Sequence, residues 1–99
     1  MPLFAIIGHD VADSGQKRRE TRPMHLDRLH KLNEQKRLIV AGPTPIEHGA
    51  DPMSGSLVIA EFDDLAEAKA WAEADPYLEA GVYSHVDIKP FIQVLPSNS

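Results

Sequence analysis

The stretch Leu3-Phe-Ala-Ile-Ile-Gly8 decides the fold, because its alternate positions are apolar on both sides. A strand with one face in water alternates apolar and polar residues, and this run does not. The stretch Leu57-Val-Ile-Ala-Glu-Phe62 has the same character until Glu61. Both runs therefore predict strands in the middle of a sheet, buried on both faces.

A helical pattern follows the first strand and runs over about 16–36. Its leucines recur at helical spacing, Thr21 can cap it, and Pro23 suits a first turn. Pro23 could instead split off a short helical turn over 16–20. The other predicted elements are a loop at 9–15, strand 2 at 38–41, a loop at 44–54, strand 3 at 57–62, helix 2 from 65 to about 74 and strand 4 at 84–95.

The resulting order, β-α-β-β-α-β, predicts an α+β, ferredoxin-like fold with a four-stranded antiparallel sheet and two helices on one face. Strands 1 and 3 should be central. Because two helices cover only one face, the other apolar face predicts a homodimer; the alternative is cover by the 43–56 loop. We expect a single domain over 1–96 and a disordered tail at 97–99.

The composition excludes several classes of function. A net charge of −5 argues against nucleic acid as the main partner, since phosphate binding needs a basic face. The short basic cluster from Lys17 to Arg22 is more typical of a solvated helix face or an anion contact. Without cysteine there is no thiolate nucleophile, disulfide or Cys-based zinc site. No apolar run is long enough for a membrane span, so we expect no membrane partner and a cytoplasmic protein.

Chain direction determines which side chains can meet. In this topology the end of strand 1, the start of helix 1, the loop after strand 2, the end of helix 2 and the start of strand 4 share one edge. Such an edge suits a small-molecule ligand. The residues expected there are His9, Arg22, His25, Gly42, Pro43, Asp75, Tyr77 and Ser84.

His25 is a candidate general base. It shares the inward stripe of Leu29 and Leu32 and lies in the expected first turn of helix 1. There the positive end of the helix dipole favours a neutral ring, which can accept a proton. The alternative is a structural histidine that bonds a backbone carbonyl.

Asp75 is the candidate partner of His25. It falls on the side of helix 2 that carries Ala68 and Trp71. A carboxylate in the last turn of a helix faces the negative dipole end, and a histidine would compensate for this. The alternative is an Asp-Pro turn, in which the side chain only closes the backbone before Pro76.

The remaining histidines predict no metal site. His30 is rotated away from His25 on the helix, and no spacing among His9, His48 and His85 has a metal signature. Ser56 can donate a hydrogen bond but has no nucleophile elbow around it. No glycine-rich phosphate or dinucleotide motif is present, so no cofactor is expected.

Several of these segments also carry a family resemblance. The chain resembles the YciI-like (YCII-related) family, in order and over nearly its whole length. The resemblance rests on Arg22-Pro-Met-His-Leu26, Ala41-Gly-Pro43, Gly55-Ser-Leu-Val-Ile-Ala-Glu-Phe62, Ala70-Trp-Ala-Glu-Ala-Asp-Pro-Tyr77, Ala80-Gly-Val-Tyr83 and Lys89-Pro-Phe91.

The resemblance implies a dimeric α/β barrel, with a proposed His–Asp active site that maps onto His25 and Asp75. At least one similar branch is a dehydrochlorinase that acts on a chlorinated hydroquinone through that pair. Other dimeric α/β barrel proteins include oxygenases, lactone isomerases and haem-binding members.

The leading hypothesis is an acid–base enzyme, dehydrochlorinase-like or isomerase-like, that acts on a small cyclic or phenolic molecule. His25 would be the base, Asp75 would orient it, and Arg22 would bind an anionic oxygen. The other candidate ligand-binding residues are Gly42, Pro43, Ser56 and Tyr77. The rival hypothesis is a non-catalytic, ligand-binding or accessory dimer in which the pair only stiffens the helix ends.

Overall fold

The computed structural model describes residues 1–97 and confirms the order β-α-β-β-α-β, with one additional helical turn. No helix in this range is long and apolar enough to cross a membrane. Of the predicted tail, residues 98 and 99 lie outside the described range. The elements are β1 (Leu3–Asp10), α1 (Gly15–Glu34), β2 (Leu38–Pro45), β3 (Met53–Glu61), α2 (Leu65–Glu73), α3 (Pro76–Glu79) and β4 (Tyr83–Phe91).

The four strands form one antiparallel sheet in the order β2-β3-β1-β4. The two apolar strands, β1 and β3, are central, as their pattern predicts. β4 is an edge strand, and its Pro90 lies opposite Phe4. Proline lacks a backbone N–H, so an edge strand is where it is tolerated.

Helix α1 is continuous, and Pro23 lies inside it. The prediction of one helical segment over about 16–36 is confirmed, whereas the alternative of a separate turn over 16–20 and the placement of Pro23 in a first turn are wrong. Proline removes one intrahelical hydrogen bond, but packing of the inward side against the rest of the chain holds the helix together. The buried residues of this side are Thr21, His25 and Leu32. His25 is thus well inside the helix, and the dipole argument for its neutral state does not apply.

Strand lengths differ from the prediction because pairing determines where strands end. The predicted loop at 44–54 is shorter, since Thr44 pairs with Gly55 and Pro45 with Met53. The side chains of Thr44 and Ser54 also bond at 2.9 Å. β4, by contrast, ends at Phe91 rather than at 95. Phe91 lies opposite Leu3, where the partner strand β1 begins.

The two faces of the sheet have different surroundings. The helix-covered face holds the core, formed by Phe4, Ile6, Leu32, Val58, Ala60, Phe62, Ala68 and Ala72. The opposite, helix-free face carries the other alternate side chains of β1 and β3, among them Ala5, Ile7 and Ile59. Ile46 and Pro52 of the loop at 46–52 border a cavity at the start of α1.

Candidate functional site

The structure brings His25 and Asp75 together. The His25 Nδ1 atom lies 3.0 Å from Asp75 Oδ1, and both residues are buried, with 7% and 5% of their surface exposed. His25 projects from the inward side of α1, and Asp75 lies between α2 and α3. The prediction that these two side chains meet is confirmed.

Asp75 also caps a helix, in addition to binding His25. α2 ends at Glu73, and Asp75 caps the next helix, α3, by accepting the backbone N–H of Tyr77 on Oδ1 at 2.9 Å. The expected unfavourable position at the negative end of helix 2 is therefore wrong. A carboxylate at a helix N-terminus is favourable. Both interpretations of Asp75 are therefore correct: its side chain closes the local turn before α3, and it also contacts His25.

This contact selects the tautomer of His25. A carboxylate oxygen only accepts hydrogen bonds, so the imidazole must carry its proton on Nδ1. The lone pair is then on Nε2, for which residues 1–97 provide no hydrogen-bond partner. An imidazole held at Nδ1 by a carboxylate and open at Nε2 can take up a proton as a general base.

Two tyrosines surround the pair. The ring of Tyr77 stacks on the His25 ring, with centroids 3.9 Å apart and planes 7° apart, and the Tyr83 ring meets Tyr77 edge-on at 5.4 Å. Burial raises the pKa of both phenols, so they remain protonated at neutral pH. Tyr77, expected to contact a ligand, is 1% exposed and instead fixes the plane of the His25 ring.

An ion pair that sequence reasoning missed lies behind Tyr77. Arg18 binds Asp10 through Nε at 2.6 Å and Nη2 at 3.0 Å, and its Nη2 also donates to Ser56 Oγ at 2.8 Å. Its guanidinium lies 5.0 Å from the Tyr77 ring centroid. Burial opposes the charge, but the hydrogen bonds and charge of Asp10 raise the pKa of Arg18. These residues come from β1, α1 and β3, so no local spacing reveals the network.

A second arginine lies near Asp75 on the other side. Arg28 donates from Nη2 to the backbone oxygen of Trp71 at 2.6 Å and covers the Trp71 ring at 4.4 Å. Burial lowers the pKa of Arg28, and the charge of Asp75 counteracts this. Trp71 thus holds the Arg28 guanidinium near the Asp75 carboxylate.

The other predicted ligand-binding residues lie at different distances from the pair. Arg22 is exposed on α1, three residues before His25, and such residues are neighbours on a helix surface. Ser56 is buried and accepts a hydrogen bond from Arg18 Nη2, and its hydrogen bond with the Tyr83 side chain opposes the rise in the pKa of that phenol. Gly42 and Pro43 lie exposed on β2, where Gly42 pairs with Leu57 of the helix-free face.

A cavity of about 720 Å³ lies elsewhere. It opens between the start of α1 and the 46–52 loop, and its lining includes Asp10, Ser14, Arg19, Ile46, Met53 and Ser54 but neither member of the pair. Ser14 and His25 are 11 residues apart, or about 16 Å along a helix axis. The 46–52 loop thus borders this cavity, and Asp10 of its lining binds Arg18.

Comparison with known proteins agrees with the residues quoted above. The model of the YCII-related domain matches residues 2–92. The chain belongs to the YCII-related family. Within that family it is 51% identical over 96 residues to Protein YciI of Escherichia coli O6:H1, covering 93% of this chain and 98% of that protein. An uncharacterised protein of Haemophilus influenzae is 43% identical over 95 residues, covering 92% and 97% of the two chains.

A solved structure similar to this YCII-related chain has a named activity. It is the 5-chloro-2-hydroxyhydroquinone dehydrochlorinase TftG of Burkholderia phenoliruptrix, in complex with 2,5-dihydroxybenzoquinone. The likeness has a TM-score of 0.80 at 29% identity and covers 92% of this chain and 94% of that chain. The fold class predicted from the sequence is therefore confirmed.

Proposed function

We propose that this protein is an acid–base enzyme that acts on a small cyclic or phenolic molecule. One observation carries the proposal: the buried contact between His25 Nδ1 and Asp75 Oδ1, which leaves Nε2 free to accept a proton. The contact joins residues 50 positions apart in the chain, and it fixes both the tautomer and the orientation of the ring.

In the proposed reaction Nε2 takes a proton from a hydroxyl group or an acidic C–H of the substrate. The imidazolium formed is stabilised by the Asp75 carboxylate, while Tyr77 keeps the ring in place. In an isomerisation the imidazolium returns the proton to another atom of the substrate. In an elimination the electron pair released by proton removal expels the leaving group as an anion, and the imidazolium passes its proton to water. In both cases His25 ends neutral, and no other residue has to change its charge.

Two observations support the proposed substrate class. The similar solved structure is a dehydrochlorinase of a chlorinated hydroquinone, with a dihydroxybenzoquinone bound. In this chain Arg22 lies beside His25 on the exposed side of α1, and residues 1–97 provide it with no hydrogen bond or ion pair. Arg22 is thus placed to bind an ionised phenol oxygen.

A rival function has its own supporting observation. Asp75 also caps α3, and both members of the pair are buried, so the contact could serve only to join α1 to α3. The protein would then be a ligand-binding or accessory module without turnover.

The test uses His25→Ala and Asp75→Asn in an assay with chlorinated and hydroxylated hydroquinones. Each variant should lose on the order of a hundred- to ten-thousand-fold in turnover per folded molecule, although removing one partner of a buried pair also lowers its melting temperature. The double variant should be scarcely worse than the worse single one, because base and orienting group act as a unit. His30→Ala, on the same helix, and His48→Ala are matched controls with exposed histidines.

Two results would contradict the proposal. Unchanged turnover in His25→Ala would eliminate the base. A large drop in melting temperature with normal activity per folded molecule would favour the rival function, as would a ligand that binds tightly and is never converted.

We also propose that the protein works as a homodimer through the helix-free face. This face presents apolar side chains of both central strands, and the neighbouring Val40 is 50% exposed. An apolar patch on a strand surface is favourable when a second copy covers it. The fold of the similar solved structures is consistent with such an assembly.

The dimer is tested by light scattering at micromolar concentration. Wild type should have the mass of a dimer, and Ile59→Asp should shift it to a monomer, because a charge would be placed in the buried interface. The control is Ile46→Asp, an exposed isoleucine in the 46–52 loop, away from that face. A monomeric wild type would refute the assembly.

A further inference from the structure

Three side chains with metal-binding chemistry project from the helix-free face of the sheet. His9 on β1 lies directly opposite His85 on β4, and Asp87 follows His85 by two residues. Residues directly opposite, and residues two apart on one strand, point to the same side of a sheet. The register of β1 and β4 therefore places two imidazoles and one carboxylate next to each other.

Their ligand atoms are close enough to share one ion. One ligand atom from each of the three residues lies within 4.8 Å of the others. The His9 Nε2 and Asp87 Oδ2 atoms are 2.8 Å apart, and the rings of His9 and His85 stack with centroids at 4.4 Å. A tetrahedral zinc ion with bonds of about 2.0–2.1 Å needs ligand atoms about 3.4 Å apart. The three side chains would thus have to rotate to bind an ion, but the strands would not have to move.

A β-bulge beside the histidines orients one of them. His9 pairs with His85 and Asp10 with Tyr83, so Ser84 is an additional residue on β4. Its Oγ donates to the backbone oxygen of His9 at 3.3 Å, and it lies 2.8 Å from His85 Nδ1. When the hydroxyl gives its one proton to the His9 oxygen, His85 Nδ1 donates to Ser84 Oγ, and the lone pair of His85 is then on Nε2. Hydrogen bonds of this kind commonly orient metal-binding histidines.

We propose that His9, His85 and Asp87 bind a divalent first-row transition metal, with zinc as the simplest case. Two imidazoles select against calcium and magnesium, which require oxygen ligands. Three protein ligands leave at least one position for water or another ligand. The sequence analysis expected no metal here, because His9 and Asp87 are 78 positions apart and only strand pairing joins them.

This site is separate from the proposed acid–base pair. The three residues are on the helix-free face, whereas His25 and Asp75 lie under the helices, on the other side of the sheet. Loss of metal binding and loss of acid–base turnover are thus different outcomes of different variants.

The experiment titrates zinc into the full chain by calorimetry, after treatment with a chelator. Wild type should bind one zinc ion per chain, and His85→Ala and His9→Ala should each weaken binding by at least about tenfold, because each removes one of three ligands. Ser84→Ala should weaken it by about tenfold through loss of the orienting hydrogen bond. His30→Ala and His48→Ala, both exposed histidines elsewhere, should bind as wild type does.

A spectroscopic measurement shows that the ion is held by the imidazoles. Cobalt added in place of zinc should give visible absorption bands that His85→Ala abolishes and His48→Ala retains. Magnesium should produce no binding heat. Melting temperatures of all variants establish that the ligand-deficient chains are folded.

Three results would overturn the site. The first is no saturable zinc binding below millimolar concentration. The second is an unchanged zinc affinity in His85→Ala. The same conclusion would follow if His48→Ala lost as much zinc affinity as His85→Ala, because zinc would then be bound by scattered surface histidines. The third is a stoichiometry of one zinc per two chains, which would indicate an ion shared between chains across the helix-free face and not bound by the three residues of one chain.

Discussion

The two faces of one sheet differ more in this protein than their strand sequence suggests. Along β1 the helix-covered face carries Phe4 and Ile6, and the helix-free face carries Ala5 and Ile7, all of them apolar. The first set packs against α1 and α2 within the chain, while nothing in residues 1–97 lies over the second as a helix does. Apolar residues on both sides of β1 predict that both faces are buried, and residues 1–97 place helices over only one of them.

The polar groups of the two faces differ in the same way. Under the helices the pairs His25–Asp75 and Arg18–Asp10 are buried, and their orientation is restricted by several bonds each. On the other face His9 and Asp87 have side chains 41% and 51% exposed and share a single bond. Buried charges must be paired, so the first set is rigid, whereas the second is free to rearrange around a ligand.

The largest expected effect is on the free energy of unfolding, and it compares a residue buried under the helices with a residue of the helix-free face. Phe62→Ala should lower the free energy of unfolding by about 3–5 kcal/mol, because Phe62 is fully buried under the helices. The matched change is Phe91→Ala, at the end of β4 and 37% exposed, which should cost less than about 1.5 kcal/mol per folded chain. Urea denaturation of both variants makes the comparison. Equal losses would mean that the helix-free face is as tightly packed as the core.

A smaller effect on stability is expected when a glycine on either face of the sheet is replaced by alanine. A Cβ atom at Gly8 would lie 2.5 Å from the Tyr83 ring, which is itself held by Tyr77, whereas a Cβ at Gly42 would meet nothing within 4 Å. Gly8→Ala should therefore cost about 1–3 kcal/mol, and Gly42→Ala should stay within about 0.5 kcal/mol of wild type. Thermal melts check both. A neutral Gly8→Ala would show that the Tyr83 ring moves away at little cost.

The smallest effect is a dependence of stability on alkaline pH. Burial raises the pKa of Tyr83, so above pH of about 10 the unfolded chain loses a phenol proton that the folded chain keeps. The unfolded state then binds fewer protons, and stability falls as pH rises. Tyr83→Phe should flatten this decline between pH 9 and about 11 relative to wild type, in melts recorded at each pH. An unchanged slope in Tyr83→Phe would exclude Tyr83 as its source.

Much of the fold could be predicted, because the signals for it are local. Apolar runs, leucines at helical spacing and Gly-Pro stops each depend on neighbours in the chain, and the order of elements with its central strands follows from them. The contact between His25 and Asp75 could also be predicted, since the topology places the inward sides of both helices at one edge of the sheet. The ends of β2, β3 and β4 were not, because a strand continues only as far as its partner does.

The element order, the apolar character of both faces of the sheet and the two residues of the candidate acid–base pair could all be inferred from the amino-acid sequence. The tertiary structure alone decided that α1 continues through Pro23, that Asp75 also caps α3, that Arg18 binds Asp10, and that His9, His85 and Asp87 meet. Each of these depends on packing or on strand register between distant segments. No spacing along the chain encodes such a contact, because the free energy that establishes it comes from the assembled sheet and helices.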